Sequence, residues 1–348
     1  LLHLRQNGLS PADVRAIPAA AGGPKGLVLG PLDRFLFGDW LTRSTQPVDL
    51  IGASIGAWRM ATACLSDPAA AFERLSRDYI AQHYELPAGQ KRPPPELISE
   101  RFGESLKAFY GGRVHEVLNH PRYRLHIVTS RGRHLMRREG NLRAPLGYLG
   151  AMLSNAVHRK AMGAWLERVV FSSPQGEGPA ALPFATHDYR TRHLALSEAN
   201  FMDVLQASCS IPFVLRAVKQ IAGAPPGAYW DGGITDYHLH LDYGTRPGIV
   251  LYPHFQKQVV PGWLDKPWTW RHRASHFLDH MLVLAPDPEW VRRLPNGKLP
   301  DRNDFTTYSH DLPGRMTAWN GAVAAAQQLA DEFAEWLARP DLGQVSAL

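Results

Sequence analysis

Three short segments of the chain hold residue types able to transfer an acyl group: an alcohol set between glycines, a glycine-rich turn, and an acid followed by two glycines. The first is Gly52-Ala53-Ser54-Ile55-Gly56, directly after the extended apolar run Val48-Asp49-Leu50-Ile51. A serine between glycines at that spacing reads as a strand-to-helix elbow, where the missing side chains let the chain reverse sharply and leave the hydroxyl at the tip of a sheet. Residues 58–65 are rich in alanine and helix formers, as an elbow requires, and Ser66-Asp67-Pro68 supplies a helix stop and a fresh start.

The second segment lies upstream, where Val14-Arg15-Ala16-Ile17 reads as a strand followed by Ala20-Ala21-Gly22-Gly23-Pro24-Lys25-Gly26. An apolar helical pattern, Leu27, Leu29, Leu32, Phe35 and Leu36, comes next. A glycine-rich turn opening a helix aims backbone N–H groups at an anion, either a bound phosphate or the oxyanion of an attacked ester. A P-loop needs Ser or Thr after its lysine, whereas Lys25 is followed by Gly26, and the glycine spacing does not match a dinucleotide fingerprint. Alone the segment reads as a tight turn; one βα unit from the serine elbow, it reads better as an oxyanion hole.

The third segment, Tyr229-Trp230-Asp231-Gly232-Gly233, sets an acid after a strand-like end. A serine hydroxyl is a poor nucleophile until a base accepts its proton, and two glycines let a backbone bring Asp231 close. Taken singly, Asp-Gly-Gly is a common turn.

Taken in chain order, glycine-rich turn, serine elbow and then Asp-Gly-Gly, the three segments resemble the patatin-like phospholipase family, and Ala207-Ser208-Cys209-Ser210-Ile211-Pro212-Phe213 is similar to the Ala-Ser-x-Ala-x-Pro stretch that precedes the acid there. The matching blocks run from about residue 14 to about residue 240. The resemblance implies a three-layer α/β/α sandwich around a mainly parallel central sheet. It implies a Ser-Asp dyad of nucleophile Ser54 and base Asp231, with oxyanion donors around Gly22 and Gly23 and with Lys25 and Gly26 beside them. It also implies hydrolysis of acyl esters of glycerolipids through an acyl-serine, without metal or cofactor. Two departures stand out: Ala20 and Ala21 occupy the start of a turn that in the family often begins Asp-Gly, and Pro24 has no N–H to donate.

A Ser-His-Asp esterase is the competing arrangement, since the chain has sixteen histidines and His254, His276 and His280 follow the acid. His238-Leu239-His240-Leu241-Asp242 would put two imidazoles and a carboxylate on one face if extended, a metal edge or a triad pair. Such residues are more often a polar face or hydrogen-bonded core, and no ligand set is completed; His126, His187 and His193 carry no motif either. A serine acyltransferase and a non-catalytic lipid-binding module are the other readings.

The elements that must position these residues fit one α/β domain spanning residues 1–348. Tyr123 to Thr129, His193 to Ser197, Gly248 to Tyr252 and Met281 to Ala285 read as strands, residues 147–167 as a helix, and Asn200 as the N-cap of residues 201–207. Met316, Trp319, Val323, Leu329, Phe333 and Trp336 read as the core stripe of one closing helix. Residues 86–95, 172–183 and 222–227 are Pro- or Gly-rich loops within the domain, the first a candidate lid.

With 45% hydrophobic residues over 348, the chain can bury a large core. Cys64 and Cys209 offer no disulfide framework, no stretch approaches a membrane span, and no secretory pattern is visible, so the expectation is a cytoplasmic protein. The chain begins at Leu1, which leaves an upstream segment open. A net charge of +6 admits anionic partners. No nucleic-acid recognition module is present. Arg131, Arg133, Arg137, Arg138 and Arg143, and Trp263, Trp268 and Trp270 among Lys266, Arg271 and Arg273, suit peripheral contact with an anionic membrane surface. Oligomeric state, acyl length and headgroup are not encoded in any motif.

Overall fold

Period-two alternation of apolar residues builds the strands and decides which face each side chain covers. In the computed structural model, which describes residues 2–84, 93–137 and 143–348, eight strands make one sheet. They are β1 (Val14–Ala19), β2 (Val48–Ala53), β3 (Tyr123–Gly132), β4 (Leu166–Ser172), β5 (Thr191–Ala195), β6 (Tyr229–Asp231), β7 (Ile249–Pro253) and β8 (Met281–Leu284). Their order is β8-β7-β1-β2-β3-β4-β5, with β6 paired to β3. Five pairings are parallel and two, β3 with β4 and β3 with β6, are antiparallel.

Ile17, Leu50, Leu125, Ile127, Val169, Phe171 and Leu251 point to one face and enter the largest core. There they meet helices α1 (Gly30–Gly38), α2 (Ile55–Ala63), α3 (Pro68–Ile80) and α4 (Pro95–Tyr110), together with later helices. Their neighbours in sequence, Ala16, Ile51, Val128, Val170 and Val250, point to the other face. That face is covered by Tyr237, Leu239, Leu241, Tyr243 and Val260 from residues 236–263, and beside them by α5 (Arg143–Val157), whose Ala151 packs in a cluster with Met162 and Trp230. The architecture is α/β, a mainly parallel sheet with helices packed around it. Among the described residues no helix is long and apolar enough to cross a membrane.

Register, not loop geometry, brings the motifs together. β2 pairs with β3 as far as Ala53 opposite Val128, and the next β3 residue, Thr129, lies opposite Asp231 of β6. β4 occupies the other edge of β3 from His126 to Gly132. Strands β2 and β6 therefore lie end to end along one edge of β3, with Ser54 and Asp231 at their junction.

Local signals hold at several points and fail at others. Asp67 caps α3 through an Ala70 N–H bond to its side chain at 3.0 Å. Asn200 sits at the N-cap position of α6 (Phe201–Cys209), but its side chain ties loops instead, accepting from Ser197 N–H and donating to the carbonyls of Ala195 and Ala222. The helix expected over 147–167 ends at Val157; a 3₁₀ turn follows, and Leu166 opens β4, whose β-branched Val169 and Val170 fit a strand buried on both faces. The closing helix is two, α7 (Leu312–Ala325) and α8 (Gln327–Ala338), joined at Ala326. Most of the candidate lid, residues 86–92, lies outside the described residues; from Pro95 the chain is α4.

Candidate active site

The elbow is built by close approach. A Cβ at Gly56 would stand 1.9 Å from the Ala19 carbonyl oxygen, and one at Gly52 2.4 Å from the Ala57 backbone, so neither position accepts a side chain. Between them Ser54 takes φ 57° and ψ −129°, a conformation costing a non-glycine residue about 1–3 kcal/mol and held only when its surroundings enforce it. The enforcement is visible: Ser54 N–H donates to Ser208 Oγ at 3.0 Å, and that hydroxyl donates to the Val128 carbonyl at 2.7 Å. The helix that follows, α2, is buried along its whole length. Its Arg59 makes two 2.7 Å bonds to the carboxylate of Asp33 on α1, locking the elbow helix to the helix behind the glycine-rich turn.

Ser54 Oγ donates to Asp231 Oδ2 at 2.6 Å, with both residues about 95% buried. The other carboxylate oxygen accepts the Gly233 N–H at 2.7 Å. Both following glycines are required by contact: a Cβ at Gly232 would lie 2.1 Å from the Val128 carbonyl oxygen, and one at Gly233 2.5 Å from the Ala21 Cβ. Burial raises the Asp231 carboxyl above its ordinary range, an effect opposed by Arg302, by the Ser54 and Gly233 hydrogen bonds and by Lys266. A carboxylate made more basic and already bonded to a hydroxyl is suited to accept its proton.

The glycine-rich turn lies across from this pair. Ala21 N–H donates to the Tyr237 carbonyl at 2.9 Å, and Gly23 opens a 3₁₀ helix at φ +58°. The first i→i−3 bond of this helix takes the Lys25 N–H to the Gly22 carbonyl and Pro24 has no N–H, which leaves that of Gly23 without an intrahelical acceptor. Among the described residues no acceptor takes the Gly22 N–H. Gly26 is where this turn touches the elbow, since a Cβ there would meet Ile55 at 3.2 Å. Ala21, at a position where Asp-Gly would be usual, packs its methyl against Gly233.

A cleft of about 210 Å³ opens beside Asp231, lined by Gly22, Lys25, Tyr237, Trp263, Lys266 and Arg302 among others. Lys25 lies 5.5 Å from the Phe255 ring, and burial lowers its ammonium from the ordinary value. Lys266 sits 3.9 Å over the Tyr237 ring. Neither Lys266 nor Arg302 belongs to any motif; Lys266 stood out in sequence only beside tryptophans, and Arg302 not at all. Ser208 had a sequence signal without a role, and the structure supplies one.

The histidines go elsewhere. Among the described residues no imidazole hydrogen-bonds to Ser54 or Asp231, nor do His, Cys, Asp and Glu gather into a group that could hold a metal ion. Leu239, at φ 50°, breaks the extended register, so His238 and His240 part: His238 Nδ1 accepts the Val260 N–H at 3.0 Å, and His240 Nε2 lies 2.8 Å from Ser275 Oγ. Asp242 caps its own turn through the Gly244 N–H. His254 is fully buried against His238, where desolvation drives its imidazole down to about 3. His126 bridges Asp49 and Ser172 inside the sheet, and His193 shares that serine. His187 packs near Phe277, as does His276, and the His280 carbonyl accepts from β7. Cys64 and Cys209 are buried free thiols, raised by desolvation.

Two arginines of the expected patch are committed within the fold. Arg131 pairs with Glu167 at 2.8 Å and Arg133 donates to the Gly163 carbonyl at 2.7 Å, while Arg138 lies outside the described residues. Arg271 pairs with Asp265, and Trp268 and Trp270 lie tilted against each other with ring centroids 5.1 Å apart. A fully buried Arg168 binds both Asp236 and Asp188, fixing the chain just beyond Asp231 to β4.

The model of the family described as Patatin-like phospholipase matches residues 41–238, which takes in Ser54 and Asp231 and leaves the glycine-rich turn outside. No curated protein matches the chain. Among solved structures, VipD from Legionella pneumophila aligns at 13% identity with a TM-score of 0.39, over 92% of this chain and 67% of that one. The type III effector protein ExoU aligns at 11% identity with a TM-score of 0.26, over 92% of this chain and 54% of that one. The chain thus spans about two thirds of the first and about half of the second. With more than half of its length inside the family match, the chain belongs to the patatin-like phospholipase family.

Proposed function

We propose that the protein is a lipid acyl hydrolase that cleaves carboxylic esters of glycerolipids through an acyl-Ser54 intermediate. Ser54 Oγ attacks the ester carbonyl while Asp231 Oδ2 accepts its proton, and the oxyanion is met by the free N–H groups at Gly22 and Gly23, with the Lys25 ammonium near. The leaving alkoxide takes the proton back from Asp231. Water, deprotonated by the same carboxylate, then releases the acid and restores Ser54.

The observation that carries this reading is the direct 2.6 Å bond between the hydroxyl and the carboxylate, made with no imidazole between them. The raised basicity of Asp231 and the strained serine support it. The test is labelling by a fluorophosphonate probe together with hydrolysis of a soluble ester: wild type reacts and turns over, and Ser54→Ala does neither while melting as wild type does. A Ser54→Ala protein that keeps wild-type turnover refutes it.

The same reading includes contact with an anionic lipid surface. Its support is the exposure of Leu146, Leu149, Leu153 and Val157 on α5, with Phe213 and Trp270 nearby, on a chain of net charge +6. Phe213 packs 5.7 Å from Tyr148 and lies two residues from the cleft residue Ile211, which puts this apolar area beside the site. Co-sedimentation with anionic but not neutral vesicles, weakened in Leu149→Glu/Leu153→Glu, is the expected result; equal binding to both vesicle types removes the idea.

A further inference from the structure

Three cations converge on the cleft beside Asp231. Lys25, Lys266 and Arg302 all line it, each from a different part of the chain. Among the described residues none of them has a carboxylate within ion-pair distance. The two acids of the cleft do not absorb them: Asp231 is bonded to Ser54 and Gly233, and Asp301 is held by Lys298 at 2.9 Å. Arg302 is close to the turn, since its Nε would lie 3.2 Å from a Cβ at Gly23. Three positive groups around one hydrogen-bonded carboxylate leave a surplus that solvent or a ligand must meet, in a concavity where charge is screened less than on open surface.

The aromatic residues of the cleft say which part of a ligand belongs there. Tyr237 and Trp263 could in principle cradle a quaternary ammonium by cation–π contact. Their faces are already taken, because Lys266 Nζ stands 3.9 Å from the Tyr237 ring centroid and 5.7 Å from that of Trp263. The protein supplies the cation itself, so a headgroup cation meets like charge where an oxyanion meets three donors.

We infer that this cleft is an anion subsite seating the phosphate of a net-anionic phosphoester headgroup, with Lys266 and Arg302 as specificity-determining residues that turn away a choline headgroup. This deepens the proposed function and rests on ester hydrolysis at Ser54. At about 210 Å³ the cleft is smaller than pockets that enclose a whole drug-sized ligand. It seats the headgroup and the ester and leaves the acyl tails outside. Burial, reinforced by the nearby charges of Lys25 and Arg302, brings the Lys266 ammonium down to about 8, so the preference weakens as pH rises past that value.

The test uses neutral detergent micelles carrying ether-linked, uncleavable phosphatidylglycerol in large excess over substrate, so that a trace of either substrate leaves the surface charge nearly unchanged. Ester-linked phosphatidylglycerol and phosphatidylcholine with identical acyl chains are then compared in kcat/KM. Wild type favours the anionic lipid by about tenfold or more, and K266M and R302Q, checked for folding by thermal melting, each cut that ratio by about tenfold. Inorganic phosphate competes with a short neutral ester in wild type and does so about tenfold more weakly in the variants. A wild-type ratio near one overturns the headgroup assignment even if phosphate inhibits, and folded variants that keep the wild-type ratio overturn the role of the two residues. A wild type inert toward every ester and unlabelled by fluorophosphonate counts against the hydrolase reading instead. Calorimetric titration with phosphate then still reads the subsite directly.

Discussion

Gly56→Ala is the sharpest probe of how the elbow and the glycine-rich turn, the proposed oxyanion hole, depend on each other. The added methyl carbon would stand 1.9 Å from the Ala19 carbonyl oxygen, 2.4 Å from its carbon and 2.8 Å from the Ala20 oxygen. All three are backbone atoms, so no rotamer change relieves the overlap, and the end of β1 must retreat by roughly 1 Å to reach even a tight contact. That strand end leads through Ala20 and Ala21 into Gly22 and Gly23, so the retreat is passed to the N–H groups proposed as oxyanion donors. A misplacement of ~1 Å typically costs about 10²-fold in rate, about 2.7 kcal/mol of barrier, close to losing one oxyanion donor. Overpacking should cost the fold about 1–3 kcal/mol besides. The assay is kcat on a soluble ester and the rate of fluorophosphonate labelling, with thermal melting in parallel. Gly30→Ala is the control, since nothing lies within 4 Å of a Cβ there and its backbone is helical; it should keep wild-type activity. Gly56→Ala with kcat within about threefold of wild type and an unchanged melt would refute the coupling.

Asp231→Asn should lower kcat by about 10²–10⁴-fold by removing the base, and the acid limb of the wild-type kcat/KM profile should lie above the ordinary carboxylate value of 3.8, because burial disfavours the ionised form that the reaction needs. R302Q, which removes the leading opposing charge, should move that limb to higher pH still. His276→Ala and His280→Ala should turn over within a few-fold of wild type, and so should His254→Ala wherever melting shows it folded; loss of turnover in any folded member of the series would point to a triad. Asp236→Asn, which leaves the fully buried Arg168 short of one carboxylate, should cost about 3–5 kcal/mol in urea unfolding.

What could be read from the sequence divides along physical lines. The elbow, the glycine-rich turn and the acid were legible because each needs glycine at fixed positions, and contacts of 1.9 to 2.6 Å to backbone or ring atoms at Gly56, Gly52, Gly232 and Gly22 show why no other residue serves. Strand β3 was legible from alternation, and β1 and β2 as short extended runs leading into the glycine motifs. β4 was missed because Leu166-Glu167 continues the apolar pattern of α5, and a short run buried on both faces has no period to separate it from a helix end. The break at Ala326 has no glycine or proline to mark it. Asn200 was legible as a position but not as a role, since its amide serves partners brought in by tertiary packing. Lys266 and Arg302 were beyond reach for the same reason: a surface cation reads as solvated until folding shows what it faces.

The junction of β2 and β6 along one edge of β3 has an architectural consequence. Ser54 and Asp231 are separated by 177 positions, yet their spacing is set by the ladder of a single strand and by little that lies between them in the chain. Excursions between strands, such as the short hairpin around residues 174–179, can therefore lengthen, shrink or be exchanged while the reacting atoms keep their separation. Such a scaffold separates the loops that would shape binding from the strand ladder that keeps the hydroxyl and the carboxylate paired.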